Sequence, residues 1–212
     1  MSFEGLITRI PRTFSDTLGA ESASYFFDHP KNVRSLIHGV AGTSPYLKTL
    51  IDLERVWLNS VLSDPHNVTN DITQSLQNDT KLSAALRIAK RRMALWVALC
   101  DLGGLWTLEK VMQSLTDFAE IALKHSLNYA FRYQVEKARP KGFVLEEDLN
   151  KAGIFVLAMG KMGARELNYS SDIDLICLFD DSRFGPLDFN EARRVFIKTT
   201  RKMASMLNDI TS

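Results

Sequence analysis

Two aspartates one residue apart, in Ser171-Asp172-Ile173-Asp174, open an apolar run that follows a glycine-bearing turn, Gly160-Lys161-Met162-Gly163. A paired carboxylate beside a phosphate-sized loop points to metal-dependent phosphoryl or nucleotidyl chemistry. Hard carboxylate oxygens favour Mg²⁺, and glycines let main-chain amides approach phosphate oxygens closely. Side chains alternate along a strand, so Asp172 and Asp174 are expected on one face, with Ile173 and Leu175 turned into the core. At the usual strand rise their α-carbons lie roughly 6.5 Å apart, a span over which two carboxylates can share one or two cations. The candidate set is therefore Asp172 and Asp174 for catalysis and metal binding, with Gly160, Lys161, Gly163 and Ser171 for phosphate or nucleotide.

Each half also has a plainer reading. A Gly-x-x-Gly after a strand is commonly just a turn, and a lone Asp-x-Asp is commonly a solvated strand edge. Together, in this order and between two apolar runs, they are far more specific than either alone.

The runs that must position these groups are Ile154 to Met159 and Ile173 to Phe179, short, apolar and partly β-branched, which read as buried strands. Upstream the pattern is helical. The first 30 residues, with scattered Pro, Gly and Ser, read as a loosely ordered lead with one short helix. Asn32 to His38 and Pro45 to Ser63 read as two helices, with Ser44 as cap and Pro45 in the first turn. Asp64 to Asp79 reads as a loop with at most a helical turn. A long helix is predicted from near Thr80 to Asp101, ended by Gly103-Gly104, with Leu82, Leu86, Ala89, Met93, Trp96 and Val97 as its apolar stripe. Lys90, Arg91 and Arg92 fall on the other side and read as a solvated face, with an acidic partner or phosphate as the alternative. Thr107 caps a second long helix to about Val135, and Arg139-Pro140-Lys141-Gly142 marks a linker. The last helix, Asn190 to Leu207, buries Val195, Phe196, Thr199, Met203 and Met206. Its basic residues face either nucleotide phosphates or solvent.

Composition narrows the function classes. The 212 residues carry 26 Lys and Arg against 25 Asp and Glu, so no overall field draws the chain to nucleic acid. Cys100 and Cys177 lie in apolar runs and read as reduced core residues. The histidines His29, His38, His66 and His125 lack metal-ligand spacing, and Trp57, Trp96 and Trp106 read as packing anchors. No apolar run reaches the ~20 residues needed to cross a bilayer, and the first residues lack a secretory core, so a cytoplasmic location is expected.

The stretch Gly160 to Leu175, GKMGARELNYSSDIDL, resembles the signature of the glutamine synthetase adenylyltransferase/deadenylase family, within the DNA polymerase beta-like nucleotidyltransferase superfamily. The likeness extends to Asn32 to Leu50, with Gly42-Thr43-Ser44-Pro45-Tyr46-Leu47. It also takes in Leu86 to Phe131, with Ala89-Lys90-Arg91-Arg92 and Asp101-Leu102-Gly103-Gly104-Leu105-Trp106. It implies an α+β fold: a loosely ordered lead over 1–30, a helical N-terminal domain over 31–138, a linker over 139–150, and the front part of a polymerase beta-like nucleotidyltransferase sheet over 151–212. It implies Mg²⁺ at Asp172 and Asp174, and glutamine synthetase as protein partner, alongside a PII-type nitrogen-signalling protein. ATP, ADP and phosphate are the implied small molecules.

Of the two nucleotidyltransferase units in the family, this chain matches the N-terminal, deadenylylating one. The implied reaction is phosphorolysis of an adenylylated tyrosine to give ADP. Glu166 is a candidate for orienting the loop through Arg165 or a main-chain amide, with a plain surface role as the alternative.

The departure from the family is at the chain's end: a further strand carrying a third metal-binding acidic residue is not present. Asp180 and Asp181 stand too far along the second strand to replace it, Asp180 about 26 Å from Asp172, and Asp209 would have to fold back. Two other readings follow, a truncated inactive fragment serving as a helical interaction module and a minimal nucleotidyltransferase acting on a small substrate.

Overall fold

The computed structural model describes residues 2–77, 81–138 and 152–208. It is an α+β chain of two compact units. The first comprises Met1–Gln74 and Ile88–Leu115, the second Ser75–Arg87 and Thr116–Ser212.

The helices of the first unit are α1 (Phe3–Leu6), α2 (Asp16–Ser24), α3 (Lys31–Thr43), α4 (Pro45–Leu53), α5 (Arg55–Ser63) and α6 (Val68–Gln74). They are joined by the later part of α7 (Leu82–Leu102) and the start of α8 (Leu108–Ala138). The core is aliphatic with aromatic inserts, including Phe3, Phe26, Leu36, Ile37, Ile51, Leu58 and Leu99, and the Phe3 ring lies 5.3 Å from that of Trp96. Ser44 caps α4 by accepting from the Leu47 amide, with Pro45 in the first turn, as the sequence predicts.

Several expectations change. The lead holds two helices rather than one. Phe3 and Phe26 are buried, and the Thr8 and Arg9 amides both donate to the Gly103 carbonyl, at 2.9 and 3.2 Å. The stretch read as a loop after Asp64 contains α6 and a 3₁₀ turn, Ser75–Gln77, because Val68, Ile72 and Leu76 recur every four residues and bury one face.

Pro45 to Ser63 is two helices, broken at Glu54, whose backbone leaves helical geometry (φ −99°, ψ 17°). The Glu54 carboxylate is buried and takes the Arg91 guanidinium at 2.7 and 3.0 Å on one oxygen and Arg92 at 2.8 Å on the other. Arg91 and Arg92 are therefore not a solvated face: they neutralise a buried charge, and Arg92 also lies over the Trp57 ring, 5.1 Å from its centroid.

In the second unit, β1 (Ile154–Ala158) and β2 (Leu175–Phe179) pair antiparallel, with Ile154 opposite Phe179, Val156 opposite Cys177 and Ala158 opposite Leu175. Ile154, Val156, Leu175, Cys177 and Phe179 face inward, against Leu127, Phe131 and Val135 of α8 and against Val195, Phe196 and Met203 of the last described helix. The Phe179 and Phe196 rings stack at 4.8 Å. The alternate positions face out: Phe155 and Leu178, Leu157 and Ile176 are each 41–48% exposed. Among the described residues the strands are thus covered on one face, where the apolar runs read as buried. Between them stands α9, a single turn (Gly160–Gly163), and after them come a 3₁₀ turn (Asp181–Arg183) and α10 (Phe189–Asn208). Helix α10 buries Val195, Phe196, Thr199, Met203 and Met206, the stripe read from the sequence. The expected linker over 139–150 and Asp209 lie outside the described residues.

Candidate functional site

The segment between the strands is built by a series of local locks. The Gly163 amide donates to Met159 O, Ala164 to Gly160 O, Arg165 to Met162 O and Glu166 to Lys161 O. A β-carbon at residue 163 would meet the Ala158 carbonyl oxygen at 2.4 Å, so the turn can fold back on the end of β1 only with glycine there. Gly163 thus contributes close packing, since its own amide is used within the turn.

Gly160 has φ +53°, and a β-carbon on it would lie 3.2 Å from Asp174 Oδ2. The Asp174 carboxylate therefore stands directly over the start of the glycine turn. The ladder runs one rung past β1, with the Met159 amide donating to Asp174 O at 2.9 Å. Lys161 is exposed on the same turn.

Strand β2 begins at Leu175, so Asp172 and Asp174 lie in the approach to it rather than within it. Both are exposed, and Leu175 is turned inward as expected. Ile173 is not: it is 39% exposed, because the pairing that would fix its side toward the core has not yet begun. Ser171 is brought to the site but its hydroxyl is engaged. It donates to Asn168 Oδ1 at 2.7 Å and accepts from the Asn168 amide at 2.9 Å, closing the turn before Asp172. Glu166 does not hold Arg165; the guanidinium of Arg165 pairs with Asp117 and Glu120 of α8. That pairing links residues 45 and 48 positions apart, which local patterning does not reveal.

Asp180 stays at the far end of β2, accepting from the Ser182 amide at 3.1 Å and the Ser182 hydroxyl at 2.6 Å. Among the described residues no group of three or more His, Cys, Asp or Glu is gathered to hold a metal. The donor set of two exposed carboxylates nonetheless suits Mg²⁺, which commonly takes one or two protein carboxylates and completes its octahedron with water and substrate phosphate. Burial pushes the Cys177 thiol up from the ordinary range, with a hydrogen bond from Thr200 opposing. Cys100 is buried and pushed up further. The histidines found in contacts are structural, His29 with Asn59 Oδ1 at 3.0 Å and His38 with Thr13 Oγ1 at 3.0 Å and Asp16 at 3.1 Å. No described helix is long and apolar enough to cross a membrane.

A sequence model described as glutamate-ammonia ligase adenylyltransferase matches residues 35–212. Curated relatives named bifunctional glutamine synthetase adenylyltransferase/adenylyl-removing enzyme include one from Bradyrhizobium sp. strain BTAi1, 34% identical over 84% of this chain and 19% of its own length. Others come from Rhodopseudomonas palustris strain HaA2, 35% identical over 85% and 19%, and Xanthobacter autotrophicus strain Py2, 35% identical over 84% and 19%. The chain spans about a fifth of the length of these relatives. Carrying the glycine turn, the paired aspartates and a match that reaches from the helical region through α10, this chain belongs to the glutamate-ammonia ligase adenylyltransferase family.

Proposed function

We propose that this chain carries part of a nucleotidyl-transfer site that removes AMP from a glutamine synthetase tyrosine by phosphorolysis. The observation that carries the reading is the Asp174 carboxylate standing over Gly160, with Lys161 exposed on the same turn and Asp172 two residues away. The names of the relatives, adenylyltransferase and adenylyl-removing enzyme, support the reaction class. In the proposed reaction an oxygen of inorganic phosphate bonds to the adenylyl phosphorus, the bond from phosphorus to the tyrosine oxygen breaks, and the phenol takes up a proton as ADP leaves.

Asp172 and Asp174 would hold Mg²⁺, which supplies charge neutralisation between phosphates when bound. Gly160, at φ +53°, lets the Asp174 carboxylate lie against the turn, and Lys161 would offer a cation to phosphate oxygens. Gly163 and Ser171 shape the loop, one by close packing and one by closing the turn at Asn168.

The test is ADP release from adenylylated glutamine synthetase with Mg²⁺ and orthophosphate. Asp172→Asn with Asp174→Asn is expected to abolish it, and retained activity in that variant would sink the assignment.

A further inference from the structure

The loop that delivers Asp172 and Asp174 has an anchor that the proposed chemistry does not use. Arg165 sits in left-handed backbone geometry, φ +61°, a conformation that side chains other than glycine avoid unless their surroundings hold them there. Its two terminal nitrogens go to two carboxylates one helical turn apart on α8, Asp117 and Glu120. Two residues on, Leu167 is buried, and its amide donates to Thr116 Oγ1 of the same helix at 3.4 Å. Asn168 and Ser171 then close the turn that leads into Asp172.

An exposed ion pair by itself fixes little. Here a forked pairing, a buried leucine and a left-handed residue fall within three positions, all referring the loop to Thr116, Asp117 and Glu120. An arginine beside a phosphate turn would ordinarily be read as a phosphate ligand. In this structure both ends of its fork are taken by α8.

We propose that Arg165, clasped by Asp117 and Glu120, is the positioning residue of the Asp172/Asp174 site, fixing the loop on α8 so that the two carboxylates are held in place before any ligand arrives. The inference rests on the reading of Asp172 and Asp174 as a divalent-cation and phosphate site. Arg165 acts through the loop and does not touch phosphate.

The full 212-residue chain is titrated with Mn²⁺ by calorimetry, and hydrogen exchange is followed at the amides of residues 166–171. Four proteins are compared: wild type, Arg165→Glu, Asp117→Lys/Glu120→Lys, and the triple variant that restores the pairing with reversed charge. Simple electrostatics predicts that Arg165→Glu, by adding negative charge, tightens Mn²⁺. Positioning predicts the opposite sign, an affinity about tenfold weaker with faster exchange over 166–171, and recovery of both in the triple variant.

Unchanged or tighter Mn²⁺ binding in Arg165→Glu, or no recovery in the triple variant, overturns the proposal. In the phosphorolysis assay kcat is expected to fall with the KM for phosphate unmoved; a raised KM that the triple variant does not restore would make Arg165 a phosphate ligand and also overturn it. Wild type that binds no Mn²⁺ marks the different failure, that of the site reading itself, and the positioning role falls with it.

Discussion

Glu54 is a buried carboxylate, its side chain 5% exposed, between two arginines whose side chains are 22% and 33% exposed. Removing its charge leaves two partly exposed guanidinium groups without their counter-charge. Glu54→Gln is expected to lower unfolding free energy by about 2 kcal/mol, discounted for the arginines' access to water, in urea denaturation followed by tryptophan emission.

Lys48 gives a pH signature. Hydrogen bonding to Asp52 (2.6 Å), opposed by burial and reinforced by Glu21 (3.2 Å), holds its ammonium above the usual lysine range. A raised folded-state pKa contributes stability that is fully present below the unfolded value and is lost as pH climbs through the folded one. Thermal midpoints of wild type should therefore fall more steeply than those of Lys48→Met above roughly pH 10, the curves running parallel below it.

Residue types at the candidate site were legible: Asp172, Asp174, Gly160 and Lys161 announce themselves by spacing. The partners of Glu54 and Arg165 were not, because those pairings span 37 and more positions and leave no periodic trace.

Among the elements, α7 and α10 follow their apolar stripes closely, since a 3.6-residue period over many turns is a strong signal. The strands were placed but their exposure was not, because a short apolar run carries no period that separates one covered face from two. Register settles the matter and yields a paired prediction. Val156 faces the cluster of α8 and α10, whereas its neighbour Leu157 is 47% exposed opposite Ile176. Val156→Ser should cost about 2–3 kcal/mol and Leu157→Ser less than about 0.5 kcal/mol, measured by denaturation followed by far-ultraviolet circular dichroism. Equal costs would mean that the register is wrong. The break at Glu54 and the helix α6 were obscured for another reason: a buried charge interrupts the first, and the Asn- and Asp-rich composition of the second masks three apolar residues at four-residue spacing.

Over the whole molecule the charge count is nearly balanced, 26 basic against 25 acidic, and the basic side chains of known placement are partly spent internally: Arg91 and Arg92 on Glu54, Arg165 on α8, and Lys202 over the Tyr133 ring at 4.3 Å. A labelled DNA duplex should show no saturable anisotropy change with this chain at about physiological salt, where phosphate neutralisation dominates non-specific binding. Saturable binding would reveal a basic surface that the composition conceals.

The division into two units has an optical corollary. Trp57, Trp96 and Trp106, all the tryptophans of the sequence, belong to the first unit, while the second holds only Tyr129, Tyr133 and Tyr169 as its longer-wavelength absorbers. Selective excitation near the red edge of protein absorption therefore lights one unit and leaves dark the one that carries Asp172 and Asp174. A silent emission spectrum during a cation titration would say nothing about that site, and a tryptophan introduced at the exposed Tyr169 would give it a voice.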